Sequence, residues 1–499
     1  MKNIKFIIVV FLMTFYSCDN YLDVNDSPNN PTASLVNPKL SLSASISRPY
    51  RNITITANEL GNVWMNSWGG NVNQITSAYS TEYSLQLNND FNSTIWNNLY
   101  LNTANLQNII NYDSVEYDNH KAIAKIMKTY YFQYIVDLYG DIPYSEAHDA
   151  ANLNPKYDDD VAVYRALYTQ LDEAIALINA APVVTIAVGD EDPIFFGDME
   201  MWKKFANTLK LKLLVRESTL AQSNSDSAAY LTQKFASLAS ASFITSDVII
   251  NPGYNGGSNN QQNPFYSVYG LDTAGNPGTR RQVVVATKHA VEFLNGIEPN
   301  TTFDNRISKL FTPITGGAYV GVTQGLQGAG NVPLSLSSLG TGLVVSSAQD
   351  GFIMTASESY FLQSEAVFRN YLSGDAKALF QSGIQSSFDL LGVPASAAAY
   401  IATSNTINGI GWDGSANKIQ AIMTQKWVAL MGINGIESYI EYVRTGFPAT
   451  GVSTVAITPT GKLPKRLLYP TSELVGNSAN VPSLSLSQAF NQGAYWSAP

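Results

Sequence analysis

The stretch AIAKIMKTYYFQYIVDLYGDIPYSEA, residues 122–147, decides how the rest of the chain is read. Ile123, Ile126, Met127, Tyr130, Tyr134, Asp137 and Leu138 recur three and four residues apart, which places them on one stripe of a helix of about four turns or more. Asp137 therefore rides the apolar face. A carboxylate in the last turn opposes the helix dipole, so a specific donor is expected to hold it. Gly140 and Pro143 then stop the helix. Tyr139 and Tyr144 flank that turn, and Glu146 begins the next segment.

Helical periodicity spreads outward from this centre. Residues 91–112 put Trp96, Tyr100, Thr103, Leu106 and Ile110 on one face, expected to pack on the central helix across a short turn near Asp118 and Asn119. Asp158, Asp159 and Asp160 precede a periodic run over 161–178, where acidic residues stabilise a helix start, and 199–220 gives a fourth helix. Pairs of about 34 residues are the mark of tetratricopeptide-like repeats. Periodicity resumes over 352–371, 376–391, 417–431 and 435–444. The fold class is mainly α: helix pairs form a scaffold, with long irregular loops and minor β-hairpins. Residues 242–285 and 312–349 are those loops, rich in Gly and polar residues. Tyr254, Phe265, Tyr266 and Tyr269 mark the first as functional; the second is expected to form a short hairpin over the surface.

At the start of the chain, Lys2 and Lys5 precede an apolar run from residue 6 to 16, followed by Ser17 and Cys18. So short a run cannot cross a bilayer core of about 30 Å, and it reads as the core of a signal peptide. A small residue immediately before a cysteine has the form of a lipoprotein processing site. The expected organisation is a signal peptide over 1–17, a tether over 18–38 beginning at lipidated Cys18, and one domain over 39–499. Cys18 is the only cysteine, so disulfides and cysteine metal sites are excluded. Among 499 residues no long charged or proline-rich linker marks a further boundary. A formal charge of −10 without a basic cluster argues against nucleic acid as a partner.

Catalytic motifs are missing from the sequence. H-E-x-x-H, G-x-S-x-G and G-x-x-x-x-G-K-S/T do not occur, and His120, His148 and His289 show no ligand spacing. No D-x-D-x-D-G loop surrounds residues 158–160, so the aspartates read as a helix cap rather than a calcium site. Glu358 and Glu365 lie seven apart on one helix, about 10.5 Å along its axis, wider than the carboxyl pair of a glycosidase. They read as structural carboxylates. Neither an enzyme, a metal nor a cofactor is expected. Arg444 closes a helix, where a cation suits the dipole; its expected role is capping and a buried ion pair, with Asp137 a candidate partner. Arg466 is expected to tie the tail to the core.

In DLYGDIPYSEA the chain resembles the SusD-like (SusD/RagB) nutrient-binding outer-membrane lipoproteins of Bacteroidota. The resemblance returns in YLDVNDSPNNPT (21–32), MWKKFANTLKLKLLVR (201–216), FDNRISKLF (303–311), SESYFLQSEA (357–366), TQKWVALMGINGIESYIEYVRTGFP (424–448) and PKRLLYPTSE (464–473). It implies four tetratricopeptide-like helix pairs, a place on the cell surface held by lipid on Cys18, and a SusC-like TonB-dependent transporter as partner, over which the protein acts as a hinged lid. Some members of the family bind glycans and others peptides. Sugar rings need apolar faces, and their hydroxyls need amides. WMNSWGGNVNQITSAYSTEY (64–83) has that composition: Trp64 and Trp68 would share a face of a helical turn, with Asn66, Asn71, Asn73, Gln74, Tyr79 and Tyr83 nearby. Tyr266 and Tyr269 are a second expected ligand contact. Oligosaccharide is thus the expected ligand, with peptide the alternative and a purely structural repeat scaffold the rival of another class.

Overall fold

A computed structural model describes residues 36–497 apart from residue 329. The expected signal peptide, the lipidated Cys18 and the tether up to residue 35 lie outside the described residues. The chain enters through α1 (Pro38–Asn52), α2 (Asn58–Trp64) and α3 (Ser80–Ser84), then α4 (Thr94–Ile110) and the central α5 (Asp118–Tyr139). Next come α6 (Asp160–Ala180), α7 (Met199–Glu217), α8 (Ser225–Ala236) and the short α9 (Pro264–Tyr269) inside the first long loop. The last part holds α10 (Ala356–Phe368), α11 (Ala376–Leu390), α12 (Lys418–Leu430) and α13 (Gly435–Thr445). Neighbours pack pairwise as α4/α5, α6/α7, α10/α11 and α12/α13, the four pairs of a tetratricopeptide-like scaffold.

Between residues 122 and 139 of α5 only Lys125 is not buried. That is wider than the single stripe read from the spacing, because α4 and α6 cover two sides while α1 and α7 close the rest. Gly140 ends the helix with φ +72°, and a Cβ there would stand 2.7 Å from Arg466 Nη1. The tail runs against this end: Leu467 N donates to Leu138 O at 2.8 Å, and Tyr100 OH donates to Pro143 O at 2.6 Å. At the other end of the chain α1 begins at Pro38, where the expected tether ends. Asn37 caps it by accepting from Leu40 N, with Pro38 in the first turn. A π-helical turn over Ile53–Ala57 carries α1 into α2 without a break.

The junction of α5, α7, α10, α12 and α13 is charged and buried. Lys212 Nζ lies 2.9 Å from Glu358 and 2.8 Å from Glu437, while Arg216 reaches Glu437 at 2.9 Å and Glu441 at 3.0 Å. Lys426 joins Glu437 and Glu441 at 3.0 and 2.7 Å. Arg444 is buried and ion-paired as expected, but its partners are Glu365 at 2.7 Å and Glu441 at 2.6 Å, not Asp137. Asp137 instead accepts from Tyr164 OH, from Gln133 Nε2 at 3.1 Å and from Trp496 Nε1 at 3.2 Å, with Arg216 at 3.4 Å. Burial holds the Asp137 carboxyl above its usual range against the pull of Arg216 and Tyr164. Burial would raise Glu437 too, yet Arg216, Lys212 and Lys426 bring it down to about 2. Glu358 and Glu365 are thus ion-paired helix carboxylates.

Strands are short and pair across long stretches of chain. β1 (Trp68–Gly70), β2 (Val248–Ile250), β3 (Val284–Ala286) and β4 (Gly351–Met354) form two antiparallel pairs among the described residues, β1 with β3 and β2 with β4. No strand of these pairs lies within 312–349, so the hairpin expected there is replaced. Isolated bridges tie that loop outward, Ser338 to Val285 and Val322 to Thr287, while within it Ser337 N donates to Val320 O and Thr312 N to Ser338 O, both at 2.8 Å.

Candidate ligand-binding cleft

The two tryptophans singled out in the sequence part company at Asn66. Its left-handed φ of 51° ends the helical run after Trp64, so Trp68 opens β1 and the indoles share no face. Trp64 is 2% exposed, with ring centres 4.8 Å from Tyr439 and 5.8 Å from Phe91. Trp68 is 0% exposed, 5.4 Å from Tyr269 and 6.4 Å from Phe265. Neither ring offers a platform to solvent, which corrects the expectation: both complete the core where the loops meet the scaffold. The asparagines lace loops together. Asn71 Nδ2 donates to Gln282 O at 3.2 Å, Asn73 Nδ2 to Pro333 O at 2.8 Å and Asn66 Nδ2 to Thr450 O at 2.9 Å. Gln74 is exposed and Tyr266 is half-buried on α9.

What the structure does bring together is Trp68, Tyr79, Tyr83 and Tyr269, layered behind Glu59. Tyr79 stands at φ 61° just before α3, a backbone state that costs a bulky residue about 1–3 kcal/mol and is held here by its surroundings. Its hydroxyl donates to Glu59 Oε1 at 2.9 Å, and its ring lies 5.8 Å from that of Tyr83. Tyr83 OH in turn accepts from Gly70 N at 2.8 Å, which fixes α3 against β1. Tyr269 OH donates to the second oxygen of Glu59, and Arg280 pairs with the same carboxylate. The Arg280 guanidinium also sits 5.1 Å from the centre of the Tyr79 ring. Burial first, and then Glu59, pushes the Tyr79 hydroxyl well above the usual range, so it stays a donor.

These groups form one wall of a cleft of about 240 Å³, lined by Thr56, Glu59, Tyr79, Glu82, Asn92, Thr279 and Arg280 over an apolar floor of Ile55, Leu60 and Val268. Hydroxyl, amide, carboxylate and guanidinium groups converge on it, the mixture that reads a small polar ligand. Of the predicted contacts only Tyr79 lines it; Trp68, Tyr83 and Tyr269 stand behind, while Trp64, Asn71 and Tyr266 do not line it. The sequence reading missed Glu59, Glu82 and Arg280. Two signals were available: Glu82 lies inside the aromatic and amide stretch itself, and Arg280 closes the first long loop. A larger hollow of about 380 Å³ beside α13, lined by Tyr442, Val452, Lys462 and Phe490 among others, gathers none of the predicted contacts.

Carboxylate oxygens of Asp141, Asp159 and Asp160 come within 4.8 Å of one another. Their hydrogen bonds are those of a helix start: Asp159 accepts from Ala162 N at 3.2 Å, Asp141 from Asp160 N at 3.0 Å and Asp160 from Tyr495 N at 2.7 Å. Among the described residues, no helix is long and apolar enough to cross a membrane.

Compared with known proteins, residues 29–470 match the family model SusD-like_2, described as starch-binding associating with outer membrane. The chain belongs to this SusD-like family. A search of curated proteins finds no match. Among solved structures, a chitin-binding SusD homologue from Flavobacterium johnsoniae has 23% identity and a TM-score of 0.71, covering 88% of this chain and 94% of its own. A SusD-like protein from Bacteroides thetaiotaomicron has 22% identity and a TM-score of 0.70, covering 93% and 99%. A SusD homologue from Bacteroides vulgatus, at 20% identity and a TM-score of 0.70, covers 88% and 93%. At these identities the likeness is one of fold.

Proposed function

We propose that this SusD-like chain is a non-catalytic oligosaccharide-binding protein of the cell surface, anchored in the outer membrane by lipid on Cys18. It delivers its ligand to a SusC-like TonB-dependent transporter. Family membership supports the class of function, and chitin binding by a structural neighbour supports saccharide over peptide. The observation that carries the site is the cleft on Glu59, in which Tyr79 supplies an aromatic edge while Thr56, Asn92 and Arg280 supply hydrogen-bonding groups. The test is to screen purified protein against plant and marine oligosaccharides, chitin fragments and peptide mixtures, then repeat the best hit on Arg280→Ala. Saccharide retention weakened by that substitution is expected. Tight peptide binding with no glycan retained would overturn the ligand class, and unaltered affinity in the variant would overturn the site. For the partner, co-purification with a transporter barrel from detergent-solubilised membranes is expected; a monomer shed from Cys18→Ala cells with nutrient uptake unchanged would count against it.

A further inference from the structure

The carboxylates of the cleft are not equivalent. Glu59 is saturated: it receives two tyrosine hydroxyls, from Tyr79 and Tyr269, and the guanidinium of Arg280. Charge on that side of the cleft therefore cancels. Glu82 lines the same cleft from the middle of α3, half-buried, and makes no ion pair among the described residues. Its side chain is near Glu59 and Tyr83, neither of which can neutralise it, and near Arg280, the one cation there, whose ion pair is made with Glu59. One negative charge is thus left over in a partly desolvated hollow of about 240 Å³. Sugar hydroxyls would hydrogen-bond to such a group but would leave its charge standing, whereas an ammonium group would do both.

Resting on the reading of this cleft as the saccharide site, we infer that Glu82 selects a sugar unit carrying a primary ammonium group, as in a glucosamine-type oligosaccharide. Burial, assisted by Glu59, holds the Glu82 carboxyl above its usual range, a cost that a bound cation relieves. Arg280 also lines the cleft, but its charge is paired with Glu59, so it repels a cation less than a bare guanidinium would.

The experiment is calorimetric titration of the full mature chain with an oligoglucosamine, its fully N-acetylated counterpart and a neutral gluco-oligosaccharide of equal length, at slightly acidic pH where the amine is charged. The amine form is expected to bind about tenfold tighter than either neutral form, the worth of one charge-assisted hydrogen bond. Glu82→Gln should reduce that preference to within about twofold. A second measurement needs no variant: raising salt should shrink the preference of the wild-type chain. Equal affinity for the amine and N-acetyl forms, or a preference that survives Glu82→Gln or high salt, overturns this inference while the cleft stands as a saccharide site. Binding of no saccharide at all, with a lysine-rich peptide bound through Glu82, overturns both.

Discussion

Glu441 and Glu59 each hold an arginine, yet they belong to regions that use the same chemistry to opposite ends. Around Glu441, the carboxylates of Asp137, Glu358, Glu365 and Glu437 meet Lys212, Arg216, Arg369, Lys426 and Arg444 in a junction closed to solvent. Every charge there has a partner. Around Glu59 the ion pair is half-buried, and Glu82 is left over beside open space. Balance makes the first region a clamp between helix pairs; imbalance and access single out the second as the proposed binding cleft. Arginine and glutamate in a motif therefore say little about role until their surroundings are known.

The comparison breaks most visibly if the clamp is opened. Arg444→Ala takes from Glu365 its bidentate partner and from Glu441 one of three cations, and the expected loss is about 3–5 kcal/mol, read as a lower urea midpoint. An unchanged midpoint would mean that the junction is not what joins the helix pairs. Asp137→Ala leaves donors from Tyr164, Gln133 and Trp496 unanswered, and about 3 kcal/mol should be lost. A variant melting within about a degree of the parent would remove α5 from the centre of the fold's energetics.

Acid sharpens the contrast further. Glu437, Glu441 and Glu365 titrate below their usual range when folded, so the unfolded chain binds protons first as pH falls. Their stabilisation is complete above the unfolded value of 4.5 and is lost as pH drops from there towards about 2. Urea midpoints collected across that range should decline steeply, and a flat profile would show that the junction carboxylates are not held down. The smallest effect belongs to the cleft. Arg280→Ala is expected to weaken saccharide binding by about 1–2 kcal/mol in calorimetry while stability moves by about 1 kcal/mol or less, since the pair is half-exposed. Loss of the fold on that substitution would place Arg280 with the clamp instead.

Helix pairs were legible in the sequence because periodicity is a local signal: α5, α6, α11 and α13 stand within a few residues of where the spacing put them. Burial of Asp137 was legible for the same reason. Its partner was not, since several carboxylates and cations lie on apolar helix faces and spacing along one helix says nothing about which faces another. Trp64 and Trp68 were misplaced because four-residue spacing implies a shared face only while the helix continues, and Asn66 ends it. Polar composition also hid α1, whose Asn37 and Pro38 were nonetheless a readable helix start. Strands of three or four residues, paired across long stretches of chain, carry no periodic signal at all.

Those strands also set an order of events. Arg280 and Glu59 lie 221 residues apart, and β1 cannot pair until β3 has been made. Closing so long a loop costs entropy that grows with the logarithm of its length, whereas α4 and α5 meet across a short turn. Helix pairs can therefore assemble while the chain is still incomplete, but the cleft cannot. A chain cut between residues 217 and 280 would contain its first two helix pairs and have no complete cleft, so the proposed site is finished only after those pairs are made.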